Sequence, residues 1–213
     1  MRSSTQQLFN FYQKTTGSLQ HLDGIASLAL RLYLVPIFWM AGMNKLTHFQ
    51  DIVAWFGSDD GGLGLPFPQL MASLATVTEL GGAVLLALGL FTRFVSVPLI
   101  ITMLVAIFKV HLVNGWQAIA DPSGFFSNMQ VVDSAEKLEN AKAILEQYGN
   151  YDWLTSSGLF VILNNGIEFA ATYLIMLLAL VVLGGGRYIS LDYWAKQLII
   201  NRKNKNTIIH TNL

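Results

Sequence analysis

Two charged residues of this chain sit inside apolar stretches where charge is costly. Glu79 lies in "VTELGGAVLLALGLFTRF", Val77 to Phe94, and Arg31 lies in "ALRLYLVPIFWMAGMNKL", Ala29 to Leu46. A carboxylate at the centre of a bilayer costs about 2.5–3.5 kcal/mol on insertion scales, so Glu79 requires a partner. Arg31 stands about six residues into its apolar block, or about 9 Å at the α-helical rise, and Glu79 about nine residues into its own, or about 14 Å. Entering a hydrocarbon core about 30 Å thick from opposite sides, the two come out within several ångströms of one level. The spacing therefore predicts a buried Arg31–Glu79 ion pair. Arg31, Phe38, Gly42 and Lys45 fall near one helical face. Ala72, Ala75, Thr76, Glu79, Gly82 and Ala83 form a stripe of small residues that permits close helix approach. Such a pair serves as a register device, or Glu79 handles protons as an acid–base group; both readings stand.

A second polar group gathers where the apolar blocks end. Asn44, Lys45 and His48 close the first block, and Lys109, His111 and Asn114 the third. Asn164, Asn165, Glu168 and Thr172 share one face where the fourth begins. The expectation is a polar cavity lined by Lys45, His48, Lys109, His111, Asn164, Asn165 and Glu168, with His111 able to pair with Glu168. The competing reading is snorkelling and end-capping. Met40, Met43, His48 and His111 are the candidate soft ligands for Cu(I). Their spacing matches neither H-x-x-x-H nor M-x-x-x-M, and methionines in such helices commonly only pack, so no metal site is assigned. The Gly184–Gly186 triplet reads as a helix stop.

These residues need apolar helices to position them. The 213 residues are 53% hydrophobic and only 12% charged, about half the charge of an ordinary soluble domain, with a mean hydropathy of +0.48. Zero net charge argues against a nucleic-acid partner, and the absence of cysteine excludes thiol redox chemistry, disulfides and iron–sulfur ligation by this chain. Four blocks are long enough to span a bilayer, at about 25–47, 70–91, 94–113 and 165–185. Backbone groups in lipid must be satisfied within the segment, so these are helices. The first block reads as a span rather than a cleavable signal peptide. Only Thr92 and Arg93 separate the second and third, which makes those helices antiparallel neighbours. Pro36 is expected to kink the first. Pro98 is expected in the first turn of the third.

The fold class is thus all-α: a four-helix transmembrane bundle over 25–192. A helical cap at about 114–164 interrupts it, a polar or interfacial segment (1–24) precedes it and a basic tail (193–213) follows it. In the lead, Leu8, Phe11, Tyr12, Leu19 and Leu22 have roughly helical spacing. In the cap, Asp133 or Ser134 is the expected N-cap of a helix whose apolar stripe is Leu138, Ala141, Ile144 and Leu145. Trp116, Tyr148, Tyr151 and Trp153 mark a candidate interfacial belt. Arg2, Lys14, Arg93, Arg187, Lys196, Arg202, Lys203 and Lys205 fall on one side of the four-span topology. Both termini are therefore expected to be cytoplasmic, with the cap facing outward.

"ALRLYLVPIFWMAGMNKL", "ELGGAVLLALGLFTR", "KVHLVNG" and "NNGIEFAATYLIMLLALVVLGGGRYISLD" together resemble the DoxX family in order and spacing. The matching elements are Arg31, Gly42, Lys45, Glu79 with Gly81–Gly82, Gly89, Arg93, His111, Glu168 and the run from Gly184 to Asp192. The resemblance implies a small four-helix protein of the bacterial inner membrane, in a family described in redox and detoxification systems. With its cap, the pattern also resembles the subgroup that accompanies copper-binding, ribosomally made peptides. The implied role is a helper or assembly component, handling or maturing such a peptide beside partner proteins. The alternatives are a quinone-linked oxidoreductase subunit, a small-molecule transporter and a structural anchor. Quinone and copper are the candidate cofactors. The missing cysteines count against direct sulfur chemistry.

Overall fold

The computed structural model describes residues 23–211 throughout and, before them, Gln6, Phe9, Phe11 and Tyr12; of Asp23 and 202–211 it describes the backbone alone. The amphipathic lead expected around Leu8, Leu19 and Leu22, and the side chains of Arg202, Lys203 and Lys205, lie outside the described residues. Among the described residues the chain is helical, with no strand beyond one isolated antiparallel bridge, Ile119 to Leu163. Helix α1 is Asp23–Thr47, α2 Phe49–Gly57, α3 Pro68–Leu88 and α4 Thr92–Val105. Helix α5 is Met129–Tyr148, α6 Tyr151–Thr155, α7 Glu168–Leu183 and α8 Leu191–Thr211. The chain divides into two compact units, residues 1–100 with 176–213, and residues 101–175.

Three helices are long and apolar enough to cross a membrane: Gly24–Thr47, Pro68–Leu88 and Thr92–Asn114. The fourth expected span, α7, is apolar but only 16 residues long, about 24 Å at the α-helical rise. Helix α1 continues through Pro36. Helix α3 starts with Pro68 at its first position and stops at Gly89, whose φ of 61° is the left-handed cap that favours glycine. The break before α4 is therefore Gly89–Phe91 rather than Thr92–Arg93. Because α4 already begins at Thr92, Pro98 falls past its first turn, inside the helix.

In the first unit α1 and α3 pack antiparallel. Their register is read from Gly42 beside Leu80, and from Arg31 reaching the carbonyl of Leu86. The buried residues of α3 are Ala72, Thr76, Glu79, Gly82, Ala83 and Leu86, close to the expected small-residue stripe. Facing them, Ser27, Arg31, Leu34 and Phe38 are almost wholly buried on α1. The segment between α1 and α3 begins with helix α2. It then folds back on that helix, with Leu63 N–H donating to Trp55 O, Leu65 N–H to Phe56 O, and the Trp55 indole to Gly61 O.

In the second unit the helical path beyond α4 widens into a π-helical stretch, Ala106–His111, and then a 3₁₀ turn, Leu112–Asn114. Helix α5 begins earlier than expected. Its N-cap is Asn128, whose side chain accepts from Val131 N–H at 2.9 Å, so Asp133 and Ser134 are internal. Its inward face runs through Val131, Ser134, Leu138 and Leu145, whereas Ala141 and Ile144 are exposed.

The α1–α3 contact generates a paired expectation. A Cβ on Gly42 would lie 2.7 Å from Leu80 Cγ, and one on Gly81 would meet nothing within 4 Å. Gly42→Ala should lower stability by about 1–3 kcal/mol through overpacking. Gly81→Ala should be neutral or stabilising by up to about 1 kcal/mol through helix propensity. Thermal unfolding of the detergent-solubilised variants checks both.

Candidate functional site

The first polar centre lies between α1 and α3. Lys45 Nζ donates to both carboxylate oxygens of Glu79, at 2.9 Å to Oε1 and 2.7 Å to Oε2. The Glu79 side chain is 5% exposed and that of Lys45 19%. The neighbouring Thr76 hydroxyl donates to Ala72 O at 2.8 Å, back into its own helix. Glu79 is thus buried as expected, but with Lys45 and not Arg31.

Register explains the difference. With Gly42 against Leu80, the level of Glu79 on α3 is the level of Lys45 on α1. Arg31 precedes Lys45 by 14 residues on α1, about 21 Å at the α-helical rise, so it stands beyond the end of α3, and only its long side chain reaches back to Leu86 O and Gly89. Counting inward from each helix end placed the face correctly and the height wrongly. An ammonium on a flexible stem caps both oxygens as a point charge, whereas the planar guanidinium fork of Arg31 suits a set of carbonyls.

Arg31 forms a second centre of its own and is 1% exposed. Its Nη1 donates to Leu86 O at 3.1 Å, and its Nη2 to Tyr188 O at 3.2 Å and Ile189 O at 3.1 Å. Leu86 O, in the last turn of α3, accepts from Gly89 N–H as well as from Arg31, and a cation there also complements the helix dipole. Asp192 closes the other side. Its Oδ1 accepts from Phe91 N–H at 2.8 Å and its Oδ2 from Thr92 N–H at 3.0 Å, satisfying free donors where α4 begins. Ser190 Oγ donates to Gly89 O at 3.1 Å, Ser27 Oγ to Gly184 O at 2.5 Å, and Arg93 Nη2 to Val182 O at 2.9 Å. The Gly184–Asp192 run is therefore a strap that ties the end of α7 to α1, α3 and α4. Ile189 takes a φ of 48° in it, a conformation costly for a β-branched residue. The strain is held because the Ile189 carbonyl serves Arg31. Sequence reasoning gave Ser27, Ser190 and Asp192 no role; the Ser-x-Asp at the end of the glycine run was the available signal.

The second unit holds the other expected polar residues. His111 Nδ1 lies 2.9 Å from Asn165 O, which can only accept, so this nitrogen carries the proton. Asn114 Nδ2 donates to the same carbonyl at 3.1 Å. Asn164 is buried and donates to Asn114 O at 2.8 Å and Gln117 O at 2.7 Å. Glu168 Oε2 accepts from Ala118 N–H at 2.9 Å. The structure thus brings His111, Asn164, Asn165 and Glu168 together, but the side chains of His111, Asn164 and Glu168 bond backbone groups, and Asn165 takes part through its own backbone carbonyl and N–H. The His111–Glu168 pair is replaced by these bonds, because the 115–120 turn would otherwise carry unmatched donors and acceptors. Lys109 is exposed and takes no partner among the described residues.

Beside Glu168 opens a cleft of about 380 Å³ lined by Gln117, Ala118, Ile119, Asp121, Glu168 and Phe169. Hydrogen bonds from the Ser123 hydroxyl and N–H hold the Asp121 carboxyl below its usual range. The cleft therefore presents carboxylates, suited to a hydrogen-bond donor or cationic group.

For the copper candidates, His48 Nδ1 sits within hydrogen-bonding distance of Asn44 O, at 3.1 Å, and Thr47 Oγ1, at 3.0 Å. Met40 is exposed. Among the described residues no three His, Cys, Asp or Glu side chains group as metal ligands.

Helices of membrane-spanning length, with a buried Lys–Glu pair between two of them, define an all-helical membrane protein. The DoxX family model matches residues 26–112, which include Arg31, Gly42, Lys45, Glu79, Gly89, Arg93 and His111. "Inner membrane protein YphA" of Escherichia coli is 33% identical over 110 residues, 49% of this chain and 74% of that protein. "Putative oxidoreductase CatD" of Bacillus subtilis is 36% identical over 88 residues, 41% of this chain and 61% of that protein. The chain belongs to the DoxX family. No solved structure matches it.

The Lys45–Glu79 geometry sets up a mutant cycle. Glu79→Gln or Lys45→Met alone leaves an unpaired buried charge and should cost about 3–5 kcal/mol, while the double variant recovers much of the loss. Glu79→Gln with Arg31→Gln should be additive within about 0.5 kcal/mol, as for separated sites. Unfolding midpoints of the singles and both doubles test this.

Proposed function

We propose that this chain is a four-pass inner-membrane component of the DoxX family that acts as a helper or assembly partner for proteins of a redox or peptide-handling system. The observation that carries the reading is the Lys45–Glu79 pair, a neutralised charge pair built between two membrane-long helices and contained in the family-matched segment. Such a pair fixes the register of a scaffold, and it offers a polar point for recognition between apolar helices. The Lys and Arg distribution supports cytoplasmic termini and an outward-facing cap. In the cap unit, Phe125, Tyr148, Trp153 and Leu159 are between 70% and 95% exposed. That is the apolar surface a partner-binding component presents. The resemblance supports a copper-binding peptide as cargo.

A quinone-linked oxidoreductase subunit is the second reading, supported by the printed name of the Bacillus subtilis relative. In it, Glu79 with Lys45 would hold or move a proton at a quinone head group.

Purification of the chain from native membranes, read by mass spectrometry for proteins and small molecules, separates the two. The helper reading expects partner proteins in stable stoichiometry, lost in Glu79→Gln. A stoichiometric quinone without protein partners would replace it with the oxidoreductase reading.

A further inference from the structure

Helix α8, Leu191–Thr211, enters the centre above only through Asp192, and its start is held firmly. Asp192 N–H donates to Gly89 O at 3.0 Å, and the Asp192 carboxylate receives the Phe91 and Thr92 N–H groups. The Ser190 hydroxyl is bonded to Gly89 O at 3.1 Å. The helix therefore sets out from the α3–α4 turn, at the end of two helices of membrane-spanning length.

Its composition is one-sided. From Tyr193 to Leu213 there are four cations, Lys196, Arg202, Lys203 and Lys205, and no Asp or Glu. Its first turns expose Trp194 by 61%, Leu198 by 64% and Ile199 by 62%. With Leu191 these residues fall on one arc of a helix turning about 100° per residue. The apolar arc is confined to the first turns, because Arg202 and Lys205 fall on the same arc further along. A short apolar start with a tryptophan, followed by a cationic stretch, suits a helix whose first turns sit at the bilayer–water boundary and whose remainder stays at the headgroups. A second copy of the same helix would set cations against cations.

We infer that α8 is a docking helix for an anionic lipid surface. The Asp192 clasp places it at headgroup level, Trp194, Leu198 and Ile199 enter the acyl boundary, and the positive charge of the segment draws it to anionic headgroups. It extends the protein's grip on the membrane beyond the family-matched segment, and it is independent of the helper reading.

The chain has no cysteine, so Leu198→Cys carries a nitroxide at a single position. The full-length labelled protein goes into nanodiscs of phosphatidylcholine alone or of a phosphatidylcholine–phosphatidylglycerol mixture. Accessibility to oxygen is compared with accessibility to a water-soluble nickel chelate. The expected result is an oxygen-rich, nickel-poor label in the anionic discs, shifting toward nickel in phosphatidylcholine. The same shift is expected when Lys196, Arg202, Lys203 and Lys205 are all changed to Gln, with surface attraction weakened by roughly fivefold per cation removed. A label open to nickel in both lipids would overturn the inference, as would one shielded from both reagents, which would mean a protein-covered face. Equal immersion in both lipids would overturn the anionic selectivity.

Discussion

A charge between apolar helices has few stable arrangements, and the rest of this structure follows from how Glu79 is matched. Its carboxylate meets the Lys45 ammonium at both oxygens. That contact is available at one register of α1 against α3, because a slip of one residue carries each group about 100° around its helix. Gly42 makes the register reachable by letting Leu80 approach the α1 backbone. Once Lys45 is committed to Glu79, Arg31 is left about four helical turns away and must find partners elsewhere. Its two terminal nitrogens donate to carbonyls of α3 and of the Gly184–Asp192 strap. The two buried cations of α1 therefore divide the labour: Lys45 sets register, and Arg31 fastens the chain end.

The strap turns that second task into architecture. Carbonyls at the end of α3, amides at the start of α4 and the positive-φ Ile189 would each be a local cost. Together they satisfy one another through Arg31, Asp192 and Ser190. In the other unit the 115–120 turn uses Asn164 and Glu168 similarly, as substitutes for missing backbone partners. Polar residues that look like cavity lining in a sequence are here chiefly the means by which irregular backbone is closed.

Much of this was legible in the sequence. Long apolar blocks gave the helices to within a few residues, since hydrophobic length is a strong signal. The small-residue stripe identified the buried face of α3, and Arg31 and Lys45 were correctly placed together on one face of α1. What failed was height. Depth counted from each helix end assumes that the two helices end level, whereas the register sets Lys45, close to the end of α1, against Glu79, in the middle of α3. The cap helix was found, but Asn128 rather than Asp133 or Ser134 caps it, because the four residues of "MQVV" fit the helix as well as those that follow. The His111–Glu168 pair failed for another reason: backbone demand in a turn is invisible to a reading of side-chain types. The Asp192 clasp lay in a quoted motif, but its partners are about a hundred residues away in sequence.

Cross-linking tests the register claim most directly, and the cysteine-free chain supplies a clean background. Lys45→Cys with Glu79→Cys, and Arg31→Cys with Glu79→Cys, are each treated in native membranes with a short bifunctional thiol reagent. Efficient linkage of positions 45 and 79, with none between 31 and 79, is the expected result. Linkage of 31 to 79 in preference to 45 would contradict the register and the division of roles built on it.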